Sequence, residues 1–303
     1  MKYFLILFLF IGAQSYSQSA ADWFNRGKEK LDKGDAQGAA DDFTRSLLLG
    51  ATNETYYNRG TAFLYLEKFS AAASDFRNAT VYKKDDSMAY YFLGEMLREQ
   101  GLYIESIAAF DQAVFYKKDF YDAVFSRGNV KYQFKKYEDA VNDFTIVLEH
   151  DSLEEEAYYM RALCYRELKQ YKSAIHDFKI STKLMPNNQQ AFTDLGDAYY
   201  EMAVYDSAVI AYKKVTEIET RSSDYWFNLG RAYNKILSYE LAIAALNKCL
   251  LLDEYSGDAL YETGIAYEQT GNKTAACEAF TKAKLFGTEN GEVMEEVISR
   301  NCN

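Results

Sequence analysis

Four cysteines, at positions 164, 249, 277 and 302, and two histidines, His150 and His176, are the side chains best suited to redox or metal chemistry in this chain. Their spacing argues against most of it. No CxxC pair occurs and neither histidine stands near a cysteine in sequence, so no metal-ligand pattern is present. The phosphate-cradling GxxxxGK[ST] loop is also missing, as are the GxSxG turn, the HExxH zinc helix and the GxGxxG dinucleotide turn. The expectation is a protein without enzymatic activity or cofactor, whose function rests on binding.

The elements that would position a binding surface are legible as a repeat. The stretch from Glu155 to Asn188 holds two helical patterns, with Tyr158, Ala162 and Tyr165 on one face of the first and Ala174, Phe178 and Ser181 on one face of the second. Pro186, the only proline, follows the second helix, where a residue that cannot continue a helix belongs. Aligned on a small residue, the same pattern recurs at Gly27, Gly60, Gly94, Gly128, Ala162, Gly196, Gly230 and Gly264. The first interval is 33 residues and the next six are 34 each. A small side chain here lets two helices approach closely. Sixteen residues after it stands Phe43, Phe76, Phe110, Phe144, Phe178, Tyr212, Leu246 or Phe280, and four before it a large packing group such as Trp23, Tyr56 or Trp226.

These positions are similar to the signature of the tetratricopeptide repeat (TPR) family, over about residues 20–290. The resemblance implies an all-α, right-handed superhelical solenoid of eight helix-turn-helix units, starting near residues 20, 53, 87, 121, 155, 189, 223 and 257. The chain departs from the family pattern in lacking the prolines that close most units. Residues 291–303, with Val293, Met294, Val297 and Ile298 apolar, read as a C-terminal capping helix over the last unit.

The repeat frame also places the cysteines. Cys277 occupies a position that is otherwise apolar and faces the next element, here the cap that carries Cys302. In an exported protein this suggests a disulfide pinning the cap, worth about 3 kcal/mol in the chain-entropy treatment; the alternative is two unpaired thiols. Cys164 and Cys249 align with alanines and read as buried small hydrophobes.

In the family, the first helix of each pair lines the concave surface. The implied contact positions are aromatic in seven of eight units three residues before the small residue, among them Tyr57, Tyr91, Phe125, Tyr159, Phe227 and Tyr261. Tyr132 and Tyr200 add two more, and Asn129, Arg98, Arg166 and Arg231 lie between them. Aromatic side chains give large contact area at little entropic cost, which suits an extended peptide, although the same rings also suit packing against neighbouring helices. Carboxylates such as Glu95, Glu99, Asp197, Glu201 and Glu268 outnumber cations along this face, which favours a neutral or basic protein or peptide partner. The carboxylate clamp with which some family members hold chaperone C-termini lacks its lysines, since Phe24 and Phe125 stand where the first would be.

A net charge of -11 over 303 residues argues against sequence-blind binding to nucleic acid. Residues 1–17 carry one positive charge at Lys2, an apolar run of about 10 residues where a membrane span needs roughly 20, and small residues at Ser15 and Ser17. They read as a secretory signal peptide, which predicts an exported chain with no integral span, in the periplasm or outside the cell, of the kind found in Gram-negative envelopes. Two functions remain open: a peptide-binding scaffold in envelope assembly or secretion, or a structural, self-associating component that uses its convex face or ends.

Overall fold

The structure, a computed structural model, describes residues 18–302. The segment read above as a signal peptide lies outside them. The described residues are helix and turn, with no strand among them. They divide into two compact units, with the boundary between Val130 and Lys131. The first holds the pairs α1 (Ala20–Asp32) and α2 (Ala36–Leu49), α3 (Asn53–Tyr65) and α4 (Phe69–Tyr82), and α5 (Ser87–Glu99) and α6 (Tyr103–Tyr116). The division falls inside α7 (Tyr121–Gln133). The second unit continues with α8 (Tyr137–His150), then the pairs α9 (Glu155–Glu167) and α10 (Tyr171–Leu184), α11 (Gln189–Glu201) and α12 (Tyr205–Ile218). It ends with α13 (Ser223–Lys235) and α14 (Tyr239–Leu252), α15 (Gly257–Gln269) and α16 (Lys273–Phe286), and the terminal α17 (Met294–Cys302). Within each unit every helix packs on the next, as in a solenoid.

Each first helix ends on the same backbone device. Seven residues after the small anchor, Gly34, Glu67, Gly101, Lys135, Lys169, Ala203, Leu237 and Gly271 all have positive φ, between 56° and 81°. This left-handed residue reverses the chain within three residues and starts the second helix. Three units use glycine there and five accept the steric cost of a side chain. The pair is then closed by the anchor itself: a Cβ on Gly27 would stand 2.6 Å from the Phe43 ring, and one on Gly264 equally close to Phe280. Phe43, Phe76, Phe110, Phe144, Phe178 and Phe280 are fully buried as a result.

A second regularity appears only once the helices are packed. The residue before the anchor and the one fifteen after it touch across the pair. In the helix pairs that lie wholly within one compact unit they read Arg26 and Asp42, Arg59 and Asp75, and Arg161 and Asp177 in three, Leu93 and Ala109, Leu195 and Ala211, and Leu229 and Ala245 in three more, and Thr263 and Ala279 in the last. Arg59 grips Asp75 through Nε at 2.7 Å and Nη2 at 2.8 Å, and Arg161 grips Asp177 at 2.6 and 3.0 Å, the two-pronged geometry a guanidinium offers a carboxylate. Leu93 with Ala109 and Leu195 with Ala211 instead join the apolar core. A buried carboxylate therefore occurs where a cation faces it, as desolvation requires.

At the C-terminal end, Met294 and Val297 of α17 are buried against Leu260, Phe280 and Ala283. Cys277 and Cys302 are joined by a disulfide, with Cα atoms 5.1 Å apart. Arg300 and Asn301 both reach Glu268, at 3.0 and 2.9 Å. The cap is thus held by an apolar seam, a covalent bond and charge-assisted hydrogen bonds.

Candidate functional site

The aromatic row on the first helices is half core and half surface. Tyr57, Tyr91, Tyr159 and Tyr261 each lay a ring against the buried phenylalanine of their own pair, with centroids 5.6 to 5.9 Å apart. All four are half-buried, and burial raises each phenol above its ordinary range. Phe125 is likewise half-buried on α7, and Asn129 on the same helix has a buried Oδ1 without a hydrogen-bond partner. In the first unit the cation Arg98 is spent within its own helix, on Glu95 at 3.0 Å and Glu99 at 2.6 Å.

In the second unit, by contrast, the predicted contact residues themselves reach across to neighbouring helices. Asp194 on α11, 3% exposed, accepts from Tyr159 Oη at 2.8 Å, from Gln190 at 3.2 Å and from the Arg166 guanidinium. Two predicted contact residues, Tyr159 and Arg166, are therefore committed to an internal carboxylate. Asp197, one turn further along, accepts from Tyr212 Oη at 2.6 Å; burial is the main cause that raises its carboxyl, and the same burial raises the Tyr212 phenol. Asn234 donates to Glu262 at 2.7 Å, whose carboxyl burial also raises. Much of the carboxylate excess on this face is thus already partnered within the fold.

Arg231 on α13 is the exception. Its guanidinium lies 4.2 Å from the Tyr200 ring centroid and 5.5 Å from that of Phe227, cation–π distances. Its Nε is buried without a hydrogen-bond partner and no carboxylate stands within ion-pair distance of it among the described residues, although its charge acts on the nearby Asp197 and Glu262 carboxyls and on the Tyr212 phenol. Burial pushes the Tyr200 phenol up to about 12. Arg166, Tyr200 and Arg231 line one cavity of about 550 Å³ with Asp197, Glu201 and Asn228. Tyr132 packs on Tyr137 at 5.6 Å in the same unit, whereas Tyr261 is not part of this cavity. Asn228 escaped the sequence reading. It lies two residues before the small anchor, a position where the buried Asp194 of the preceding pair is also polar, and that repetition was the available signal.

Neither free thiol belongs to the site. Cys164 and Cys249 are buried, and desolvation raises them to about 12 and about 11, so both remain protonated and unreactive at neutral pH. No cluster of three His, Cys, Asp or Glu side chains able to hold a metal occurs among the described residues. No helix among them is long and apolar enough to cross a membrane.

Family models described as tetratricopeptide repeats match residues 57–122, 155–188, 189–221, 223–255 and 258–284. Comparison with curated proteins returns no significant match. Among solved structures, the C-terminal part of a TPR repeat-containing protein from Cytophaga hutchinsonii is 18% identical with a TM-score of 0.67, over 79% of this chain and 98% of that one. A tetratricopeptide repeat protein from Parabacteroides merdae is 19% identical with a TM-score of 0.57, over 83% and 99%. YrrB, described as a TPR protein with an unusual peptide-binding site, is 23% identical with a TM-score of 0.56, over 62% and 97%. At these identities the likeness is one of fold. The matched repeats together span well over half of the sequence, and the chain belongs to the tetratricopeptide repeat family.

Proposed function

We propose that this chain is a non-catalytic scaffold that binds a peptide segment of a protein partner on the first-helix face of its second unit. The observation that carries this reading is Arg231, a cation held between two aromatic rings at the edge of a polar cavity, with a buried Nε that has no hydrogen-bond partner. A guanidinium so placed keeps hydrogen-bonding capacity for a ligand, and the stacked rings fix its direction at little entropic cost. Asn228 adds a donor and an acceptor beside it, a pairing suited to a peptide backbone. The sequence alone favours a neutral or basic partner. With Asp194, Glu262 and Glu268 satisfied internally, the partner proposed is a largely neutral peptide that places a carbonyl or carboxylate on Arg231. Peptide recognition is also what the description of YrrB records for that protein.

We further propose that the chain works outside the cytoplasm, in envelope assembly or secretion. The leader-like pattern of residues 1–17 and the disulfide between Cys277 and Cys302 both support an oxidising compartment. The test is selection of peptides from a displayed random library on the full chain, followed by affinity measurement. Arg231→Ala should weaken the selected peptides about tenfold or more, as loss of a central arginine contact does. Peptides that bind Arg231→Ala and Asn228→Ala as tightly as the parent chain would place binding elsewhere and remove the basis of this site.

A further inference from the structure

Between successive second helices runs a groove floored by the first helix of the later pair, and two neighbouring grooves of the second unit differ in a telling way. Between α8 and α10, Arg161 donates to Thr145 Oγ1 at 3.1 Å and to both oxygens of Asp177, bridging the groove and leaving a cavity of about 390 Å³. Thirty-four residues on, between α10 and α12, the corresponding side chains are Lys179, Leu195 and Ala211. No bridge forms, and the cavity is about 720 Å³. Its shelf is Ile210, 72% exposed, where the equivalent residue is His176 in the preceding unit and Ala244 in the following one. Lys179 and Lys213 on the rim form no ion pair among the described residues, whereas Lys214 beside them pairs with Glu217 at 3.3 Å. An apolar trough edged by two unpaired lysines and one lysine–glutamate pair, with a net positive rim, is thus open on an acidic chain.

The same unit carries a surface of complementary kind. The last turn of α14 and the connection to α15 expose Leu251 at 85% and Tyr255 at 62%, with exposed Asp253 and Glu254 between them. Tyr255 is braced edge-on against Phe286, ring centroids 5.1 Å apart, so the knob is preformed rather than a loose loop. Water-exposed apolar side chains of this size gain by burial, and the carboxylates beside them match the lysines of the trough.

We propose that a second copy of this chain seats its Leu251–Tyr255 knob in the trough between α10 and α12. The two surfaces are different parts of one molecule, so the contact is head-to-tail and leaves a free knob and a free trough at the ends of each assembly. A single knob in a single trough belongs to the weak, transient class of interfaces, and association is expected in the micromolar range or above.

Sedimentation velocity on the full chain at low salt, from micromolar to sub-millimolar concentration, should show a weight-average mass that climbs past the dimer. Ile210→Glu and Leu251→Glu alter exposed side chains and should keep the far-ultraviolet circular dichroism of the parent, while each should weaken self-association about tenfold or more. A one-to-one mixture of the two variants should form a dimer and nothing larger, because each variant retains one intact surface. A monomer at every concentration, association that persists in either variant, or a mixture that fails to dimerise would each overturn the proposal.

Discussion

Arg161 and Asp177 show how this repeat handles a buried charge. The Asp177 side chain is 2% exposed and the guanidinium 16%, so neither is hydrated well enough to stand alone. Asp177→Ala should cost about 3 kcal/mol, the penalty of stranding the arginine rather than the value of the pair. The double change R161L/D177A copies the Leu195 and Ala211 that the next unit already uses, and it should recover to within about 1 kcal/mol of the parent. Urea unfolding followed by circular dichroism checks this; equal losses in the single and double variants would show that the pair is not energetically coupled. The alternation was present in the sequence as residue types sixteen apart. It became readable only when packing showed that those two positions touch.

At the scale of elements, the left-handed turn between paired helices is met by different residues at different cost. Leu237 holds φ 61° with its side chain 69% exposed, so nothing in its packing offsets the clash of its Cβ with the backbone. Leu237→Gly should raise stability by about 0.5–1 kcal/mol, the left-handed penalty of about 1–2 kcal/mol less the greater freedom of glycine in the unfolded chain. Thermal unfolding of the full chain measures it, and an unchanged or lower midpoint would mean that the turn is not strained. The helices themselves were plain in the sequence, because small and aromatic residues recur with helical spacing inside a 34-residue period. The turn rule was not, since five of its eight residues carry side chains and only Gly34, Gly101 and Gly271 advertise it.

For the whole molecule, stability in a repeat array is a sum over neighbours, and the ends matter most. The disulfide closes a separation of 25 residues between α16 and α17, which the chain-entropy treatment values at about 3 kcal/mol. In such an array that contribution acts locally. Reduction, or Cys302→Ser, should speed hydrogen exchange in α15 to α17 while leaving α9 to α12 close to the parent rate. Uniform acceleration across the second unit would show that the array unfolds as one cooperative body instead.

The sequence by itself determined the repeat length, the paired helices, the buried ring that closes each pair and the aromatic row on the first helices, because all of these repeat within one period and need only local geometry. Tertiary structure decided which charges are spent. Arg166 and Tyr159 reach Asp194 across 28 and 35 residues, and Asn234 reaches Glu262 across 28, separations that belong to the stacking of one pair on the next. Desolvation in those contacts demands a partner for each carboxylate, and the arrangement that supplies them leaves the Nε of Arg231 buried without a hydrogen-bond partner. The same stacking turned a predicted acidic face into one largely neutralised from within, and opened the apolar trough beside Ile210 where a bridging arginine is absent.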